Sequence, residues 1–96
     1  MNKTFSRYDT ADYLKTDEEI VAYLEACAEE NDPGLMAHAL GVVARARNMS
    51  QLARETGLTR EGLYKALSDD GNPSLGTVMK VAHALGFQLT FSRPRR

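Results

Sequence analysis

Four polar side chains stand together in residues 60–65, at the start of a short helix that the sequence predicts. They are Arg60, Glu61, Tyr64 and Lys65. In a major groove, such an Arg can form a bidentate contact with guanine, a Glu can accept from cytosine, and a Tyr can pack on a thymine methyl group or bond a phosphate. The alternative for Arg60 and Glu61 is a solvated first turn in which Glu61 complements the helix dipole.

Two short predicted helices joined by a glycine turn would position these side chains. Ser50 is predicted to cap the first helix, Gly57 to stop it in a left-handed conformation, and Thr59 to cap the second. The small Ala53 lets the helices cross closely, and Leu63 fills the corner between them. Residues 49–68 therefore predict a helix-turn-helix, with a helical hairpin of another kind as the alternative.

Residues at the start of the first of these two helices are predicted to contact phosphates. Ser50 and Gln51 can offer backbone and side-chain donors to a phosphate. Arg47, Arg54 and Lys65 can add backbone contacts or be ordinary surface charges. The predicted DNA-contacting residues are Ser50, Gln51, Thr59, Arg60, Glu61, Tyr64 and Lys65, with Arg47 and Arg54 as weaker phosphate contacts.

Three further helices complete an all-α prediction. Thr16 and Glu19 have the spacing of a capping box before a helix over about 17–30. Asp32 and Pro33 begin a second helix that runs to about Arg47, where Asn48 is expected to end it in a left-handed conformation. Ser74 begins a last helix that ends at Gly86. We expect an N-terminal arm at 1–15, a five-helix domain at 16–86, and a strand with a basic tail at 87–96.

The C-terminal segment alternates apolar and polar residues. Phe87, Leu89 and Phe91 are separated by polar side chains, which predicts a strand over 87–92. An isolated strand has unpaired edges, so we expect it to pair between two subunits of a homodimer. Otherwise these residues close the bundle as an extended tail.

The formal net charge of −1 is the average of two unlike halves. Residues 1–48 carry five basic and nine acidic residues, and residues 49–96 carry seven basic and four acidic ones. The halves are therefore −4 and +3, which fits a polyanion on the second half and a basic partner on the first. Glu25, Glu29 and Glu30 are the predicted contacts for a basic protein, or they merely solvate their helix.

Several function classes are disfavoured. Ninety-six residues allow one core and little room for a cofactor cavity, so we expect neither an enzyme nor a cofactor. The lone Cys27 lies on an apolar stripe and is expected in the core; with His38 and His83 it forms no metal pattern. No window is long and apolar enough for a membrane span, and no signal peptide is evident, so a cytoplasmic protein is expected.

Beyond these patterns, most of the chain resembles a known family. Residues 49–68, the Gly71 to Ser74 segment and the helix over 78–86 resemble the Xre/Cro-like regulators, whose helix-turn-helix domain is lambda-repressor-like. Residues 8–14 and 39–47 also resemble a narrower group, the addiction-module antidotes or HigA-like antitoxins, which are encoded beside RelE-like toxins.

The resemblance implies a dimeric repressor that binds double-stranded operator DNA in its own operon. It also implies that the protein binds and silences a small basic RelE/HigB-like ribonuclease toxin. Gln51, Arg60, Glu61, Tyr64 and Lys65 then inherit DNA contact. Two alternatives stay open: a stand-alone phage-type repressor without a toxin, and a protein-interaction module that has lost DNA binding.

Overall fold

Five α-helices form the described part of the chain. The structure is a computed structural model that describes residues 14–94. The helices are α1 (Asp17–Ala28), α2 (Pro33–Ala46), α3 (Met49–Thr56), α4 (Arg60–Ala66) and α5 (Leu75–Ala84). The all-α prediction with five helices is confirmed for these residues. Most of the predicted arm at 1–15, and the last two residues of the basic tail, lie outside them.

Local sequence determines where most of the helices begin. The Thr16 hydroxyl accepts from the Glu19 N–H at 3.1 Å, and the Glu19 carboxylate accepts from the Thr16 N–H at 3.0 Å, which confirms the capping box. Asp32 caps α2 with Pro33 in its first turn, and Ser74 caps α5. Each cap satisfies backbone N–H groups that the first helical turn leaves without partners.

The junction between α2 and α3 differs from the prediction. Asn48 is not left-handed: its φ of −159° and ψ of 103° are extended, and it is the N-cap of α3. Its side-chain oxygen accepts from the Gln51 N–H at 3.0 Å, so Ser50 lies inside the helix rather than capping it. Asn and Ser are equally good caps, and Asn48 takes the role because α2 already ends at Ala46.

The predicted strand over 87–92 was wrong for this structure. Residues 87–94 have no regular secondary structure, and no strand occurs anywhere in residues 14–94. A strand needs a neighbouring strand to receive its backbone hydrogen bonds, and this segment has none in the described chain. Phe87 packs against the core, whereas the Phe91 side chain is 94% exposed.

The core is centred on α2, the helix most completely enclosed. Ala39, Val43 and Ala44 are fully buried, as are Leu63 of α4 and Val81 of α5. One apolar cluster therefore includes residues from all five helices. Its members are Ile20, Leu40, Val43, Ala44, Met49, Leu52, Ala53, Leu63, Leu67, Val81 and Leu85. Within the described residues, no helix is both long and apolar enough to cross a membrane.

Candidate functional site

A three-residue connection, 57–59, joins α3 to α4. Gly57 has φ 76° and ψ 12°, which confirms the left-handed backbone predicted for it. The N–H groups of Gly57 and Leu58 both donate to the Ala53 carbonyl, at 3.0 and 3.2 Å. The Thr59 hydroxyl then accepts from the Gly62 N–H at 2.9 Å, as a cap requires. These bonds fix the direction in which α4 leaves the turn.

The inner side of this connection is held by Thr56, which the sequence reasoning missed. Its side chain is buried, and its hydroxyl donates to the Leu52 carbonyl at 2.8 Å. The same oxygen lies 3.4 Å from the Leu58 N–H, from which it accepts. The available signal was its spacing, because Thr56 lies four residues after Leu52, on the inward face of α3.

Apolar contacts complete the junction between α3 and α4. Ala53 is 9% exposed and Leu63 is fully buried in the same cluster, as their predicted packing roles require. α3 lies against both α4 and α5. α4 is therefore held along its inner side, and its opposite side is left to solvent.

The predicted DNA-contacting side chains all lie on exposed surface. Arg60, Glu61, Tyr64 and Lys65 project from α4, and Ser50, Gln51 and Thr59 are exposed at the starts of the two helices. The Arg60 guanidinium lies 5.6 Å from the centroid of the Tyr64 ring, within the range of a cation–π contact. The pair restrains two of the longest side chains on this face.

Further contacts change what two of the predicted residues can do. The Gln51 side-chain amide donates to the Glu55 carboxylate at 3.1 Å, so Gln51 is oriented along α3. Arg47 forms an ion pair with Asp17 of α1, with 3.0 Å between Nη2 and Oδ1. Arg47 is thus held towards α1, whereas Arg54 lies exposed on α3.

A second surface, which we call the α1 groove, is a shallow, open depression along the exposed face of α1 and is lined by that helix alone. Its lining residues are Asp17, Glu18, Val21, Ala22 and Glu25. The lining is mostly apolar, although three of the five residues carry carboxylates. Of the three predicted toxin contacts, Glu25 lies in the groove, whereas Glu29 is the C-cap residue and Glu30 follows it, both outside the lining.

The inward side of α1 has the character of a core rather than of a reactive site. Cys27 is 8% exposed, which confirms its prediction as a core residue. Burial raises the pKa of the Cys27 thiol, and burial next to Cys27 raises the pKa of Tyr23 to about 12. Both groups are therefore protonated near neutral pH. Across residues 14–94, no three His, Cys, Asp or Glu side chains are grouped so that they could hold a metal ion.

The described residues thus form a small helical domain with a polar, charged face on α3 and α4 and a shallow groove on α1 that carries carboxylates. A family model described as "Probable addiction module antidote protein" matches residues 4–93. The chain belongs to this family. It is also 48% identical, over 95 residues, to an "Uncharacterized protein" of Haemophilus influenzae strain Rd, an alignment that covers 99% of this chain and 98% of the relative. No solved structure matches it significantly.

Proposed function

We propose that this chain is the DNA-binding antitoxin of a toxin–antitoxin module, a binding protein and not an enzyme. It binds a small basic toxin of the RelE/HigB-like kind, as the HigA-like antitoxins do, and represses the operon that encodes both proteins. The observation that carries the DNA part is the exposed face of α4, with Arg60, Tyr64 and Lys65 directed away from a buried inner side. Membership of the antidote family supports the toxin part.

The proposed contact places α4 in a major groove as the second helix of a helix-turn-helix. A helix with its side chains is about 10–12 Å across and the major groove is about 12 Å wide, so one exposed helix face fits. Arg60 and Glu61, in the first turn of α4, then meet base edges. Lys65 and Arg54, both exposed, are proposed to neutralise phosphates, which would position the protein without selecting sequence.

The repressor is proposed to act as a homodimer. Successive major grooves on one face of DNA are about 34 Å apart. The described residues extend over 37 × 33 × 26 Å, a size from which a side-by-side dimer with that separation between its α4 helices can be built. Leu75 and Met79 on α5, with Leu89 and Phe91 after it, are exposed apolar side chains that a second copy would cover.

Gel shifts with the chain's own promoter test the DNA contact. Arg60→Ala is expected to weaken binding by about 1–3 kcal/mol and to relax sequence preference, because a base contact is lost. Lys65→Ala should weaken binding to all sequences and reduce the slope of affinity against salt by about one phosphate contact. Lys80→Ala on α5 is the control, because it removes the same charge outside α3 and α4.

Two results would contradict the proposal. A gel shift that does not depend on salt, or no shift at all, would favour a protein-interaction module without DNA binding. Equal losses for Lys65→Ala and Lys80→Ala would show that α4 is not the DNA contact. Absence of a gene for a small basic protein beside this one, or DNA binding without a complex with the product of such a gene, would favour a stand-alone phage-type repressor. Calorimetry with that protein separates the antitoxin from the repressor.

A further inference from the structure

α1 buries one apolar side against the domain, and the described chain leaves the flank that carries Val21 and Ala22 exposed. Ile20 and Cys27 are buried against the domain, with Leu24 half-buried beside them. On the other side, Val21 is 37% exposed and Ala22 is exposed in the groove. A helix that only packs onto a core needs one apolar stripe. Val21 and Ala22 therefore form a small apolar strip that residues 14–94 do not fully cover.

The charges around this strip select the kind of partner that covers it. The sequence of α1 contains four carboxylates and no basic residue. The Glu19 carboxylate is already bound by the N–H groups of Lys15 and Thr16, so it serves the helix start. Glu18 and Glu25 border Val21 and Ala22 in the groove, and Asp17 lies at its end. An apolar floor with an anionic rim is complementary to apolar side chains flanked by Lys or Arg.

We propose that the α1 groove is the surface that captures the toxin, through a basic segment whose apolar side chains cover Val21 and Ala22. This inference rests on the proposed antitoxin function and assigns its partner surface. From Asp17 to Glu25 the groove spans about 12 Å along the helix axis, enough for two turns of a partner helix. The apolar floor supplies affinity, and the rim supplies orientation and a faster encounter.

Isothermal titration with the small basic protein from the adjacent reading frame tests the assignment. Glu25→Lys is expected to weaken toxin binding about tenfold or more and to reduce its salt dependence, because a cation replaces an anion in the rim. Val21→Asp should weaken binding at low and high salt alike, because it removes apolar contact from the floor. Glu30→Lys makes the same charge change outside the groove and should cost less than threefold.

The outcomes separate this inference from the function on which it rests. Equal losses for Glu25→Lys and Glu30→Lys, or wild-type affinity for Val21→Asp, would overturn the groove while leaving the antitoxin function in place. No complex with the unaltered chain would overturn both. Circular dichroism and the operator gel shift accompany each variant, and retention of both shows that a loss of toxin binding is not a loss of folding.

Discussion

At Gly41, the backbone of α2 lies directly against the end of α4. A Cβ atom at Gly41 would overlap the carbonyl oxygen of Leu67, which is backbone and cannot turn away as a flexible side chain could. Leu67 is the C-cap residue of α4 and is fully buried. The absence of a side chain at one position of α2 thus determines how closely α4 packs on the domain.

We therefore predict that Gly41→Ala lowers the free energy of unfolding by about 1–3 kcal/mol, as overpacked cores do. Urea denaturation followed by circular dichroism measures the change. Gly76→Ala is the matched control: Gly76 lies in exposed helix, and its nearest neighbouring atom, the Ser74 hydroxyl, would be 3.8 Å from the new Cβ. Alanine there should raise stability by up to about 1 kcal/mol. Equal stability of the two variants would show that the close approach at Leu67 is not limiting.

At the scale of the elements, the N-terminal turn of α1 makes the stability of the folded chain depend on pH. The N–H groups of Lys15 and Thr16 donate to the Glu19 carboxylate and hold the pKa of that carboxyl below its ordinary value of 4.5. A carboxyl whose pKa is lower in the folded than in the unfolded state stabilises the fold above the unfolded pKa. That contribution is lost as the pH falls through the folded pKa.

Glu19→Gln is expected to remove this pH-dependent part while leaving an amide oxygen able to accept one of the bonds. The unfolding free energy of the variant should fall less than that of the parent chain between pH 6 and pH values below 4.5. Thermal unfolding across that range is the measurement. Glu18→Gln, in the same turn, is the control, because it removes the same charge and leaves the bonds from Lys15 and Thr16 to Glu19 in place. A parental pH profile for Glu19→Gln would contradict the assignment.

Elements specified by neighbouring residues were predictable from sequence. The caps at Thr16, Asp32, Thr59 and Ser74 follow from side chains two or three residues from the N–H groups they bind. Asn48 was not predictable in this way, because it and Ser50 can both cap, and the choice depends on where α2 ends. The strand over 87–92 failed for a related reason: alternation describes a strand that has a partner, and the described chain offers none.

In the candidate site, too, the features that depend on local sequence were predictable and those that depend on tertiary contacts were not. The exposure of α4 followed from its pattern, because Leu63 is apolar and buried whereas Glu61, Tyr64 and Lys65 are polar and exposed. The Thr56 bonds and the α1 groove were missed because they depend on tertiary placement rather than on a local motif. Arg47 and Asp17 are thirty residues apart in sequence, and no periodicity connects them.

At the scale of the whole molecule, that ion pair joins the two proposed binding surfaces. Asp17 lines the α1 groove, and Arg47 lines a cleft with Asn48 and Gln51 at the start of α3. A basic partner bound in the groove as proposed would compete with Arg47 for the Asp17 carboxylate. Once released, the Arg47 guanidinium is available to a phosphate beside α3. Toxin binding and DNA binding are then expected to favour one another, and linkage requires the effect to be reciprocal.

Asp17→Asn should reproduce the released state without toxin. Its operator affinity is expected to rise by about two- to fivefold, a gain bounded by the roughly 0–1 kcal/mol of an exposed ion pair, and its salt slope should steepen by about one phosphate contact. Glu18→Gln is the control, because it removes the same charge from the groove without touching Arg47. In the double variant Asp17→Asn with Arg47→Ala the gain should vanish, because both partners of the pair are gone.

Gel shifts at two salt concentrations measure the operator affinities of all three variants. Equal gains for Asp17→Asn and Glu18→Gln would mean that the acidic half repels DNA as a whole. The Arg47–Asp17 ion pair would then not couple toxin binding to DNA binding.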